Sequence, residues 1–232
     1  MIVVISGLPG AGKSLKLARV VVDLLYRNRA WYNNPKNKDK IKRILYTNLK
    51  LAPALMKEFE GYIHEWTETI ELVKTRNCDV IWDELATAMD ATQWQNMSLE
   101  LKRWLQQHRK YGIEIYGTTQ DFAQVDKSFR RLVSDLIHVT KIIGSRDKSS
   151  TMPEVKRIWG ICTVRTLDAQ KYNEESSKFE ATGLPQFMLI TKKDIEIYDT
   201  TAEIKLGAYP PLRHITRSCE NDNCDHVKTL HV

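Results

Sequence analysis

Cysteine is scarce in this chain. The four thiols, Cys78, Cys162, Cys219 and Cys224, are scattered through 232 residues, which excludes the disulfide framework that small secreted domains use in place of a large core. A reducing compartment, the cytoplasm, is the expected setting. Long apolar runs are missing too: stretches such as residues 20–25, interrupted by Asp23, fall far below the roughly 20 residues that cross a bilayer. The opening Met1-Ile2-Val3-Val4-Ile5 has no cationic leader and runs straight into a glycine-rich turn, unlike a secretory signal. A soluble protein is therefore expected. Nor is the composition skewed: 42% hydrophobic and 28% charged residues exclude a fibre or a disordered polymer. No internal repeat occurs. Charge of one sign dominates only slightly, with 35 Lys and Arg against 29 Asp and Glu, a net +6 and a pI near 9.0. That excess favours a polyanionic partner without naming one.

What is present is an alternation of short apolar runs and helical patterns. Residues 2–5 form a continuous apolar run, as in a strand buried on both faces of a parallel sheet. Leu15, Leu17, Ala18, Val21, Val22, Leu25 and Tyr26 then recur at helical spacing to about Asn28. Residues 33–43 (NNPKNKDKIKR) read as an exposed, lysine-rich connection. Strands are expected at 43–49, 79–82, 113–116 and 136–140, and helices at 53–59, 67–74 and 127–133. A further helix is capped by Ser98 and closed by Tyr111-Gly112. The order predicts an α/β fold, a mostly parallel sheet with helices on both faces. This core covers residues 1–145, followed by a small β-rich extension at about 146–208, with strands near 157–168 and 186–191, and a loose tail at 209–232.

The turn after the first strand is GLPGAGKS: Gly7, Leu8, Pro9, Gly10, Ala11, Gly12, Lys13 and Ser14. It matches the P-loop pattern in full, between the strand and the helix that the pattern requires. The chemistry demands these residue types. Glycines let successive N–H groups turn inward around phosphates, Lys13 neutralises β- and γ-phosphate charge, the Ser14 hydroxyl ligates Mg²⁺, and the helix offers its positive end. A nucleoside triphosphate, ATP, with Mg²⁺ is the expected ligand.

Hydrolysis needs more. Residues 79–84 (DVIWDE) carry an apolar run into two acids, which places Asp83 as the Walker B carboxylate of the Mg²⁺ site and Glu84 as the residue that activates water. The pair favours an ATPase over a small-molecule kinase, which must exclude water. The strand at 113–116 leads into Gly117-Thr118-Thr119-Gln120, where Gln120 either senses the γ-phosphate or caps the next turn. A ring-forming motor also takes an arginine from its neighbour; Arg130 and Arg131 are the candidates, with Arg109 behind them, and each can equally be a solvated surface residue. Lys102, Arg103, Gln106, Arg109 and Lys110, and separately Lys36, Lys38, Lys40 and Lys42, form faces that either track a phosphate backbone or simply meet solvent. Cys219, Cys224, His226 and His231 have an uncommon spacing for a metal site; free cysteines in a tail are the better reading.

The combination MIVVISGLPGAGKS, DVIWDEL and QQHRKYGIEIYGTTQDFAQVDKSFRRL resembles the zonular occludens toxin-like assembly ATPases of filamentous phages, over roughly residues 1–145. His108, Arg109, Gly112 and Gln120 match a family pattern, Arg130 and Arg131 match its arginine-containing helix, and IYDTTAEI from Ile197 resembles the close of its ATPase domain. The resemblance implies a P-loop NTPase of the RecA, FtsK and HerA-like kind, a motor that moves viral DNA during virion assembly. It also implies a homo-oligomer, hexameric in that group, working with virion or assembly proteins. The membrane-spanning helix and outer domain of the filamentous-phage proteins have no counterpart here. This brings in the soluble genome-packaging ATPases of tailless viruses, and leaves any membrane association to a partner. A small-molecule kinase and a nucleotide-gated scaffold remain the alternatives.

Overall fold

Aliphatic and β-branched runs between turn residues set the strands, and complete burial marks those at the centre of the sheet. The computed structural model describes residues 1–37, 39–140, 143, 160–171 and 184–197. The run IVVIS forms β1 (Ile2–Ser6), buried at every position. Four further strands run parallel to it or to its neighbours: β2 (Ile44–Thr47), β3 (Ile63–Glu65), β4 (Cys78–Trp82) and β5 (Glu114–Thr119). On the other side of β1 lies β6 (Asp135–Val139), also parallel. Two antiparallel strands, β7 (Gly160–Leu167) and β8 (Gln186–Ile190), complete an eight-stranded sheet of order β3-β2-β4-β5-β1-β6-β7-β8.

Alternation along β1 divides the apolar residues between two layers. Ile2 and Val4 face a core completed by α6 (Leu99–Gln107), α7 (Lys127–Arg130) and α3 (Thr69–Leu72), through Trp104, Phe129 and Leu72. Val3 and Ile5 face the opposite core, where α1 (Lys13–Asn33) supplies Leu17, Val21 and Leu25 and α2 (Pro53–Glu58) packs at the side. Fully burying each such side chain contributes about 1.5–3 kcal/mol, so both helical layers are held by the same central strand.

The base of the sheet carries a buried acid. Asp79 opens the apolar part of β4 and is fully buried; Arg43 grips it at 2.6 and 3.0 Å and Asn28 of α1 donates to it at 2.7 Å. These bonds offset the desolvation that an unpaired buried carboxylate would suffer. They lock α1 and β2 to one end of β4, while the other end is left for chemistry.

Several expectations change. The first helix runs on to Asn33, beyond the last apolar repeat, and the strand expected at 113–116 extends from Glu114 through Thr119. Thr118 and Thr119 are therefore buried strand residues, not a loop. The helices expected at 67–74 and 127–133 shrink to Thr69–Leu72 and Lys127–Arg130. The short edge strand β3 and the helices α4 (Ala86–Met89) and α5 (Ala91–Asn96) were not anticipated. The described parts of the β-rich extension pair with β6 as an antiparallel flank of the main sheet. The tail at 209–232, with Cys219, Cys224, His226 and His231, lies outside the described residues, as do residues 198–204 of the IYDTTAEI segment.

Candidate functional site

The site forms at the C-terminal ends of β1, β5 and β4, three neighbouring strands. Residues 7–12 turn the chain from β1 into α1. Gly7 sits at φ 153°, and a Cβ there would lie 2.3 Å from the carbonyl oxygen of Val139 at the end of β6. Only glycine lets the loop leave the sheet this closely. The amide of Ala11 donates to the Leu8 carbonyl at 3.0 Å, closing the loop on itself. Gly12 then caps α1 with no side-chain hydrogen bond, and no acid stands in the helix's first turn. A 21-residue helix whose N-terminal amides receive no side-chain cap presents them, and its positive dipole end, to an anion.

Pro9, Gly10, Lys13 and Ser14 line the resulting cleft of about 500 Å³; Gly7, Leu8, Ala11 and Gly12 shape the loop without lining it. Lys13 extends its ammonium over the Leu8 carbonyl at 3.2 Å. Partial burial lowers its pKa, while the charges of Asp83 and Glu84 act in the opposite direction. A cation held in a half-desolvated loop beside two acids is placed for phosphate.

The two acids behave differently. Asp83 is buried and its pKa is raised, burial being the leading cause; hydrogen bonds from Thr118, the Glu84 amide and Ser14, together with the Lys13 charge, pull it down. Glu84 is exposed to the cleft and holds the left-handed φ of 53°, a conformation that costs a non-glycine residue about 1–2 kcal/mol. Two residues impose it. Asn48, at the end of β2, accepts from the Asp83 amide at 2.7 Å and donates to its carbonyl at 3.1 Å. Thr118 of β5 accepts from the Glu84 amide at 2.8 Å while donating to the Asp83 carboxylate at 2.5 Å. The Leu85 amide then bonds the Thr118 carbonyl at 2.8 Å. Gly117 admits this turn, since a Cβ there would sit 2.6 Å from Leu85 Cδ1.

Lys13, Ser14, Asp83, Glu84 and Gln120 thus line one cleft. β5 lies between β1 and β4, so Thr118 and Gln120 stand between the loop and the acids. Of the two readings of Gln120, capping falls to its neighbour: Asp121 accepts from the Ala123 amide at 2.9 Å and caps the following turn. Arg130 and Arg131, at the end of α7, do not line the cleft. Arg109 lies at the other end of the sheet, donating to Ser134 at 3.4 Å beside the start of β1. His108 is buried there as the C-cap of α6, its Nδ1 2.7 Å from the Leu105 carbonyl, and Gly112 packs on Asn77. These residues of the family pattern support the base of β5, about 20 Å from its tip.

Sequence reasoning missed Asn48 and the residues Thr87, Asp90 and Gln124, which line or brace the cleft. Only Asp90 left a signal. It caps α5 by accepting from the Gln93 amide at 2.8 Å, the helix-start pattern of an Asp followed three residues later by Gln. The donor set suits a magnesium nucleotide: one lysine, one serine hydroxyl and a buried carboxylate converge on an uncapped helix end. Among the described residues no group of three or more His, Cys, Asp and Glu is arranged to hold a metal ion, and no helix is long and apolar enough to cross a membrane.

The family model described as Zonular occludens toxin (Zot) matches residues 1–174. No curated protein matches the sequence. Among solved structures, the N-terminal domain of zonular occludens toxin from Neisseria meningitidis is 21% identical, with a TM-score of 0.51 over 85% of this chain and 98% of that one. The genome packaging NTPase B204 of Sulfolobus turreted icosahedral virus 2, in complex with AMP, is 12% identical, with a TM-score of 0.45 over 78% of this chain and 95% of that one. The first of these supports the fold, a mostly parallel sheet flanked by helices.

Proposed function

The chain belongs to the zonular occludens toxin family, and from that premise we propose that it is an ATP-hydrolysing motor that moves or packages viral DNA during virion assembly. The observation that carries the hydrolytic half is the placement of Asp83 and Glu84 at the tip of β4, facing Lys13 and Ser14 across one cleft. The P-loop amides and Lys13 bind the phosphates, and Ser14 and Asp83 hold Mg²⁺. Bound there, the ion withdraws charge from the phosphate oxygens. Glu84 accepts a proton from the attacking water as its oxygen bonds to the γ-phosphorus and the bond to the bridging oxygen breaks; the products are ADP and phosphate. Gln120 positions that water or the γ-phosphate. Arg130 and Arg131 do not line their own cleft, so in this reading they serve only the site of a neighbouring copy in a ring. Virion or assembly proteins complete the machine.

The test is turnover by Glu84→Gln. We expect loss of hydrolysis by at least about a hundredfold with ATP binding retained, the general-base contribution being about 10²–10⁴-fold. Undiminished phosphate release would remove Glu84 from the mechanism. DNA-stimulated turnover by a multimer is the second expectation, and activity with neither DNA response nor assembly would leave an ATPase without a motor.

A further inference from the structure

The net charge of the protein is concentrated in one place. Residues 27–43 hold seven lysines and arginines against the single acid Asp39, an excess equal to the +6 of the whole chain, so everything outside this stretch is balanced. The stretch comprises the end of α1 and the connection to β2. It lies at the base of the sheet, some 27 Å along α1 from Lys13 at the usual helical rise, so a partner bound there does not compete for the nucleotide cleft.

The cations of this stretch fall into two kinds. Its arginines are neutralised: Arg43 pairs with Asp79 at 2.6 Å, Arg29 with Glu58 at 3.2 Å, and Arg27 with Glu114 at 3.3 Å. Two of the lysines, Lys40 and Lys42, lie over rings without an acid partner. Lys42 lies 3.7 Å from the centroid of Tyr62 and 5.5 Å from that of Tyr32, and Lys40 lies 5.7 Å from that of Trp31. A ring face fixes an ammonium in place without cancelling its charge. Lys36 is exposed in the turn that follows α1, and Trp31 itself is 41% exposed.

We propose that Lys36, Lys40 and Lys42, with the ring of Trp31, form a binding surface for single-stranded nucleic acid. Unneutralised ammonium groups, two of them held by rings, take the phosphates, and the exposed indole offers a stacking face, the combination by which single strands are held without sequence preference. A lipid surface suits the patch less well. Apart from Trp31, Ile41 is the one large apolar side chain exposed in this stretch, well short of the apolar face that an interfacial segment buries. The inference deepens the DNA half of the proposed function and rests on that reading for its biological meaning; the surface itself is independent of hydrolysis.

The experiment is fluorescence anisotropy of a labelled oligothymidine with the full chain, across a salt series. The combined Lys36→Gln, Lys40→Gln, Lys42→Gln variant should bind at least tenfold more weakly. Its slope of log affinity against log salt should be shallower by about 2, at about 0.7 per phosphate contact on a single strand. Trp31→Ala should weaken binding by about tenfold with the slope unchanged, the signature of lost stacking. A Lys102→Gln, Arg103→Gln control on α6 should bind as the parent does, and all variants should keep the basal ATPase rate and thermal midpoint. No binding by the parent chain, an unchanged slope in the lysine variant, or loss in the α6 control overturns the proposal. So does a lysine variant that loses sedimentation with phosphatidylserine vesicles while keeping the oligonucleotide. Binding that behaves as expected in a chain with no ATP turnover leaves this surface standing and removes the motor.

Discussion

Asn48 hydrogen-bonds both the amide and the carbonyl of Asp83 from the end of a different strand, and through that residue it sets where Glu84 stands. In Asn48→Ala both backbone groups lose their partner inside a buried site, each at a cost of about 1–3 kcal/mol, and the left-handed Glu84 is no longer held from that side. Asn48 is a positioning residue. We expect kcat for ATP to fall at least about tenfold with KM little changed, since P-loop contacts are untouched, and Asn48→Asp to recover only part, because it cannot donate to the carbonyl. Equal losses in both parameters would mean a general loosening of the cleft. Gly7→Ala is expected to be harsher: its Cβ would meet the Val139 carbonyl at 2.3 Å, and overlap with backbone is relieved only by moving a strand. Purified yield and thermal midpoint check it. Legibility at this scale follows the motifs. Lys13, Ser14, Asp83 and Glu84 could be read because phosphate chemistry dictates local spacing. Asn48 could not, since it acts 35 positions from its partner through a contact that only the sheet order creates.

The elements that bound the cleft are joined by polar ties that apolar periodicity does not reveal. Arg19 of α1 meets Asp194 of α8 (Lys192–Ile195) at 2.7 Å, and also donates to the Leu189 carbonyl of β8, fastening the antiparallel flank to the helix that leaves the P-loop. Asp194 is pulled down from 3.8 to about 2 by hydrogen bonds from Arg19 and Thr191, against the opposing effect of burial. A carboxyl whose pKa is lower in the folded state gives up its proton more readily there than in the unfolded chain. Its stabilisation is complete above 3.8 and disappears as pH falls towards 2. At about 1.4 kcal/mol per pKa unit, Asp194→Asn should cost about 2 kcal/mol at pH 7, with the gap to the parent chain closing below pH 4. Urea unfolding at the two pH values measures it, and a gap of constant size would mean that the loss comes from packing. The central strands and α1 were readable because each buries a long apolar pattern. The segment at 86–96 was not: α4 and α5 hold four and six residues, too short for a 3.6-residue period to emerge. β3 is a three-residue edge strand with none of its residues buried, and it leaves hardly more trace.

At the scale of the molecule, one end of the sheet is tied by Arg43, Asn28 and Asp79 and the other gathers the residues of the cleft, with β1, β5 and β4 spanning both. A nucleotide bound across the tips of these strands is held by the folded sheet and not by the unfolded chain, so its binding energy should appear as stability of the whole sheet. Ligand at about a hundred times its Kd adds about 2.7 kcal/mol, and about 2–4 °C per kcal/mol is expected for a chain of this size. Mg·ATP should therefore raise the thermal midpoint by roughly 5–10 °C. Glu84→Gln should keep that shift because its carboxylate acts on water, whereas Lys13→Ala should lose most of it. Chelating the metal should shrink the shift in the parent chain and in Glu84→Gln alike, since Ser14 and Asp83 remain in both. A shift that survives Lys13→Ala would mean that the nucleotide binds elsewhere. A shift confined to the Mg²⁺-loaded parent and absent from Glu84→Gln would make that residue a ligand instead of a base.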